Sequence, residues 1–251
     1  MAYSYYESRT AERGGRSKNS GNSIFGKIIR FLSYVGLLVV GFYAVVSLLG
    51  VGQAIYPDYV SFLSDIVLID FVLNVFKTIQ TYIGGYVDFI FLGALFLLIW
   101  VFGKSTFGKI VGSLLFLVGI GANQIGKFVI DPLQVPEFLR NILTENSSVF
   151  TGIVDSSIAP YAESGGLLLS FLVVLLVVST RKPKRIHTFF LRSALFFVIL
   201  NLIITIALKF IDLSGASYVV YINVGVFYLL LVSYTFIVIS SVFGILGAFK
   251  A

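Results

Sequence analysis

The sequence predicts an all-α fold: a polytopic transmembrane helical bundle of about six spans, with both termini cytoplasmic and amphipathic interfacial helices on the outer side. Three observations carry this expectation. The 251 residues are 58% hydrophobic and only 12% charged, about half the charge of an average soluble domain, and the mean hydropathy is +0.98. The apolar residues gather in six blocks, 29–50, 86–103, 110–130, 166–179, 189–211 and 218–249, and about 20 apolar residues cross a hydrocarbon core of roughly 30 Å as helix. The charges are also sorted by side. Segments 1–30, 104–109, 180–192 and 250–251 hold fourteen of the 18 Lys and Arg, and the loops on the other side hold ten of the 12 Asp and Glu. Basic residues in short loops mark the cytoplasmic face, which places the chain in the plasma or cell membrane with the acidic loops outside.

Residues 1–22 are polar, rich in Gly, Ser and Arg, and without apolar periodicity; they read as a disordered basic cytoplasmic tail. The first block is longer than the apolar core of a signal peptide and no A-x-A site follows it, so it is expected to be retained as a helix. Residues 23–104 form the first helix hairpin. Within it, segment 61–82 carries Asp70, Asn74, Lys77 and Thr81 on one helical face. It is read as an amphipathic helix in the outer interface, or a re-entrant piece; a spanning segment there would move every later loop to the opposite side.

Residues 105–185 form the second hairpin. Ser105-Thr106-Phe107-Gly108-Lys109-Ile110 echoes Ser23-Ile24-Phe25-Gly26-Lys27-Ile28, and the glycine pairs Gly84-Gly85 and Gly165-Gly166 recur at nearly the same offset. Either the two hairpins are a parallel duplication, or inner helix ends match because Gly-Lys and apolar residues are common there. The outer segment 131–164 is punctuated by Pro132, Pro136 and Pro160, with a short surface helix expected at 137–143 and a glycosylation sequon at Asn146-Ser147-Ser148. The glycine pair is expected to close this outer segment. Residues 186–251 form a final two-helix hairpin.

The chain has no cysteine, one histidine (His187) and one methionine (Met1). This removes disulfides, iron–sulfur clusters, a haem held by two His or by His and Met, and an ordinary zinc site. No phosphate loop, nucleophile triad or paired intramembrane carboxylates can be found, so the expectation is a non-catalytic protein without a cofactor.

Polar residues inside apolar helices are costly and mark candidate functional positions. Asn123 and Lys127 share a face of the third helix, and Asn201, Thr205 and Lys209 share one of the fifth. These five are the candidate conduit-lining residues. The bland reading has the lysines reaching the interface and the asparagines bonding neighbouring helices. Arg181, Lys182, Lys184 and Arg185 form the densest basic cluster, a contact for lipid headgroups or for an acidic cytoplasmic partner. Gly108 and Gly112 form a G-x-x-x-G that suits close helix packing, within one chain or between copies.

The six-span pattern, the basic cytoplasmic side and the Gly-Lys helix openings resemble the six-span membrane channel component of the archaeal DNA-import system, itself similar to the polytopic channel subunit of bacterial type IV secretion systems. The resemblance implies an oligomeric conduit for single-stranded DNA, driven by a separate cytoplasmic ATPase. The acidic outer surface departs from it, since a DNA entrance should be basic. The sequence therefore points to a conduit-forming subunit of a multi-subunit membrane assembly, with nucleic acid as one cargo. The alternatives are a stand-alone small-solute transporter or channel, or a cofactor-free subunit of a respiratory complex.

Overall fold

The computed structural model describes residues 24–58, 86–147, 154, 156–180, 186–210 and 218–249. The expected tail at 1–22, the segment 61–82 and the cluster Arg181, Lys182, Lys184 and Arg185 lie outside these residues. So do Ser148 of the sequon and the side chain of Lys209.

The described residues fold into seven α-helices: α1 (Ile24–Ile55), α2 (Val87–Phe102), α3 (Thr106–Ile130), α4 (Glu137–Glu145), α5 (Ala159–Ser179), α6 (Ile186–Phe210) and α7 (Val219–Phe249). A single 3-10 turn, Pro132–Gln134, joins α3 to α4. Five of the helices, α1, α3, α5, α6 and α7, are long and apolar enough to cross a membrane, so the chain is an integral membrane protein of helical-bundle type. Helix α2 has 16 residues and reaches about 24 Å, short of the roughly 30 Å hydrocarbon core.

Local chemistry sets the helix limits. Ser105 caps α3, accepting a hydrogen bond from the Gly108 N–H at 3.0 Å. Asp131 ends the same helix and turns the chain by accepting from the Leu133 N–H at 3.0 Å. Pro132 opens the 3-10 turn and Pro136 precedes α4, two positions where the missing N–H costs nothing.

One sequence expectation is corrected here. The pair Gly165-Gly166 does not close an outer segment but lies within α5, which begins six residues before it at Ala159. Pro160 fits the first helical turn, so it opens this helix instead of breaking it.

Contacts between helices fix their directions. In α1 and α7, Gly41 lies against Ile237, and Gly244 against Tyr34. In α6 and α7, Ser240 donates to the His187 carbonyl at 2.7 Å and Asn201 to the Val226 carbonyl at 3.3 Å. In α5 and α6, Arg192 donates to the Val178 carbonyl at 2.8 Å and Tyr161 stacks on Phe210 at 5.0 Å. All three pairs are antiparallel. The pairs α3–α5 and α2–α3 are antiparallel too, through Gly112 near Val177, Gly126 near Glu163, Trp100 at Ser113 and Phe96 on Phe116. Helices α1, α2, α3, α5, α6 and α7 therefore alternate in direction, and Ile24 and Phe249 lie at one end of the bundle, here called the base. Helix α4 lies at the other end, here called the top.

Five helices close a ring in the order α1–α2–α5–α6–α7 and back to α1, while α3 packs outside it, tightly on α5 and sparsely on α2. The lower half of the ring is closely packed, mainly by apolar side chains, with Ser33, Thr188, Ser240 and Ser241 buried among them. Tyr34, Leu37, Leu95, Leu98, Ile99, Val174, Val178, Leu191, Leu195 and Ile237 fill it and are fully buried. Outside, Ile110, Leu114, Leu117, Val118, Leu176, Phe196 and Leu246 are exposed. An apolar surface this continuous is stable only against lipid or protein.

Candidate functional site

The tightest seam joins α3 to α5. Gly112, Gly119 and Gly126 repeat every seven residues along α3, so they share one face, and Gly119 and Gly126 meet the backbone of α5. A Cβ on Gly126 would sit 2.5 Å from the Glu163 nitrogen and 2.7 Å from the Ala159 carbonyl; one on Gly119 would sit 2.6 Å from the Gly166 carbonyl and overlap Ser170 Oγ. The helices touch backbone to backbone, which only glycine allows. Polar groups lock the seam at this distance. Ser170 Oγ lies 3.1 Å from the Phe116 carbonyl across the seam and 3.0 Å from its own Gly166 carbonyl. Asn123, only 1% exposed, donates its amide N–H to the Glu163 carbonyl at 2.8 Å, and Gln124 donates to Asn123 Oδ1 at 3.0 Å.

Because the seam brings α3 so close to the ring, side chains of α3 enter the gap between α2 and α5. There they line a cavity of about 190 Å³ in the upper half of the bundle. At its top stand Asp88 of α2 and Lys127 of α3. Below them lie the amides of Asn123, Gln124 and Asn201, and deeper still Tyr234 with the rings of Phe91 and Phe171. Phe91 stands 5.8 Å from Phe171 and 6.3 Å from Tyr234, centroid to centroid, so the aromatic residues form a floor above the packed half of the ring.

Both charges sit where helix ends favour them. Asp88 is in the first turn of α2, where the helix dipole is positive, and Lys127 is in the last turn of α3, where it is negative. Among the described residues no ion pair engages either one. A cavity of this size holds about six waters at liquid density, with donors and acceptors on several sides.

Three of the five candidate lining residues meet in this cavity, Asn123 and Lys127 from α3 and Asn201 from α6. Asn123 and Asn201 also bond neighbouring helices, so the two readings of these asparagines coexist. Thr205 is half-buried and stands off the cavity wall. Gly112 packs against Ile99 and Val177, whereas a Cβ on Gly108 would meet only Ser105 Oγ, so within this chain Gly108 belongs to the capping turn. Asn146 is exposed at the C-terminal end of α4 and donates its amide N–H to the Ile142 carbonyl at 2.9 Å.

Sequence reasoning missed Asp88, which looked like one more acid of the outer surface. Gln124 of α3 and Tyr234 of α7 also stand in this wall outside the candidate set. The seven-residue glycine spacing was the available signal for the seam, and it was passed over in favour of the shorter G-x-x-x-G.

A second cavity lies beside the first. About 330 Å³ in volume and almost wholly apolar, it is lined by Phe89, Leu92, Gly93 and Phe96 of α2, Phe116, Leu117, Ile120 and Gln124 of α3, and Leu139 of α4. It occupies the sparse contact between α2 and α3. Phe138 of α4 packs on Phe89 at 5.7 Å above it. Among the described residues no group of His, Cys, Asp and Glu could hold a metal ion. Compared with family models, curated proteins and solved structures, the chain matches none of them.

Proposed function

We propose that this chain is a non-catalytic, conduit-type membrane protein that admits polar cargo into the bundle from the top, and that it works as a subunit of a larger membrane assembly. In this reading the top is the outer face, α2 completes a set of six crossings, and the termini are cytoplasmic. The observation that carries it is the polar cavity, where Asp88, Asn123, Gln124, Lys127, Asn201 and Tyr234 converge from four helices. Polar groups inside a bundle are costly unless they serve each other or a cargo, and here they surround open space. The assembly part rests on the packed lower half. Fully buried Leu98, Ile99, Val178, Leu191 and Leu195 leave one protomer without a way through, so passage needs further subunits or copies.

The same plug supports a second reading, a self-contained transporter of a small polar solute that opens alternately to either side. The cavity volume of about 190 Å³ favours it, because a nucleotide strand is too wide for such a space. A DNA conduit, which the resemblance implies, would run between chains.

The two readings separate in reconstituted vesicles. If the purified chain alone moves small solutes, the transporter reading stands. If flux appears only with subunits that co-purify in mild detergent, the assembly reading stands. No flux from either preparation, with the protein folded, would remove both.

A further inference from the structure

The polar cavity and the apolar groove are neighbours. Leu92 and Gln124 belong to the walls of both, so a charged, amide-lined space adjoins a hydrocarbon-lined one. We infer that together they form one site for a membrane phospholipid with an amine in its headgroup: the phosphate rests against Lys127, the amine against Asp88, and one hydrocarbon chain lies in the groove.

Depth supports this assignment. Asp88 is the second residue of α2 and Lys127 lies three residues from the end of α3, about 5 Å along the axis. In a spanning bundle both stand at headgroup level. From there the groove runs down α2 from Phe89 to Phe96, about 10 Å, toward a midplane about 15 Å below the edge of the hydrocarbon. A lipid of the same leaflet lies along this line with its head up and its chain down.

Size and charge select the occupant. The groove, about 330 Å³ and almost wholly apolar, takes a single hydrocarbon chain. The carboxylate of Asp88 disfavours a headgroup that is only anionic, and the ammonium of Lys127 disfavours one that is only cationic. A zwitterionic head satisfies both, and the amides of Asn123 and Gln124 offer additional N–H donors to the phosphate. Gly93 leaves the groove open, since nothing lies within 4 Å of where its Cβ would be. Helix α4 forms the upper edge, with Leu139 on the groove and Phe138 and Ile142 exposed, as befits a helix lying at the interface.

This inference requires only that the bundle sit in lipid, so it stands or falls independently of what the assembly moves. The test is native mass spectrometry on protein released from nanodiscs that hold equal amounts of phosphatidylethanolamine and phosphatidylglycerol with identical chains. The expected result is one retained lipid, the amine-bearing one, on the unmodified chain. Gly93→Trp fills the groove and lowers retention of both lipids about tenfold. Leu117→Trp, at a side chain already exposed, does the same and serves if Gly93→Trp fails to fold. Asp88→Asn keeps a lipid bound but removes the preference for the amine, and Lys127→Gln weakens retention of both. Equal retention of the two lipids by the unmodified chain would overturn the headgroup assignment. Unchanged retention in the folded Trp variants would overturn the site.

Discussion

Replacing Gly166 by alanine tests the α3–α5 seam at its tightest point. A Cβ there would lie 2.6 Å from the Asn123 nitrogen, about 0.8 Å short of the 3.4 Å at which ordinary contact begins, and it would also strike the Gly119 carbonyl. Both obstacles are backbone, so neither can rotate away, and the helices must part. A separation of about 0.8 Å stretches the 2.8 Å bond from Asn123 to the Glu163 carbonyl to about 3.6 Å, beyond hydrogen-bonding distance. Overpacking costs about 1–3 kcal/mol, and a buried amide left without its partner costs about 1–3 kcal/mol more. The two overlap because one movement causes both, so Gly166→Ala is expected to destabilise the bundle by about 2–4 kcal/mol. The assay is denaturant unfolding in detergent micelles, followed by circular dichroism. Gly165→Ala is the internal control. It adds the same methyl one residue away, where nothing lies within 4 Å, and should be neutral or stabilising by up to about 1 kcal/mol. If the two variants unfold alike, the seam is not held by backbone contact and the reasoning fails.

Gly244→Ala should also destabilise, by about 1–3 kcal/mol, because its methyl would meet the buried Tyr34 ring at 2.5 Å; the same unfolding assay reads it. Ser113→Ala removes the acceptor of the Trp100 indole N–H, bonded at 3.1 Å, at a cost of about 1 kcal/mol. Trp100 is the only tryptophan, so its fluorescence should report this change alone. The same residue is 40% exposed near the base end of α2, and brominated lipids should quench it if α2 lies in the bilayer. Lys127→Ala should alter flux in reconstituted vesicles at normal expression, as should Lys209→Ala under the lining hypothesis; unchanged flux in both would remove lysine from the conduit.

The bundle was legible in the sequence because lipid imposes a simple rule: each span must hide its own backbone and show apolar side chains. Blocks 110–130 and 218–249 correspond to α3 and α7 within a few residues. Boundaries were harder where one residue type has two uses. Pro160 ends a helix in one context and opens it in another, and the sequence alone does not say which. Gly165 and Gly166 looked like a loop, yet Gly166 sits in a helix because a carbonyl and an amide of α3 occupy the space a side chain would need. The cavity was only partly legible. Asn123 and Lys127 could be paired because they share one helix. Their meeting with Asp88, Asn201 and Tyr234 depends on the rotation and depth of four helices, which periodicity within a single helix does not determine. The groove beside it was not legible at all, since it arises from a contact that α2 and α3 fail to make.

The central claim, a polar vestibule open from the top above a packed base, is tested most directly by thiol labelling. The chain contains no cysteine, so single cysteines can be introduced without background. Leu202→Cys and Leu230→Cys lie on the cavity wall, and Leu195→Cys and Ile237→Cys lie in the fully buried lower half. A membrane-impermeant maleimide is added to intact cells and, separately, to inside-out vesicles. The account predicts labelling of the first pair from outside the cell only, and of the second pair from neither side. Labelling of the first pair from the cytoplasmic side, or no labelling of it from either, would contradict the account.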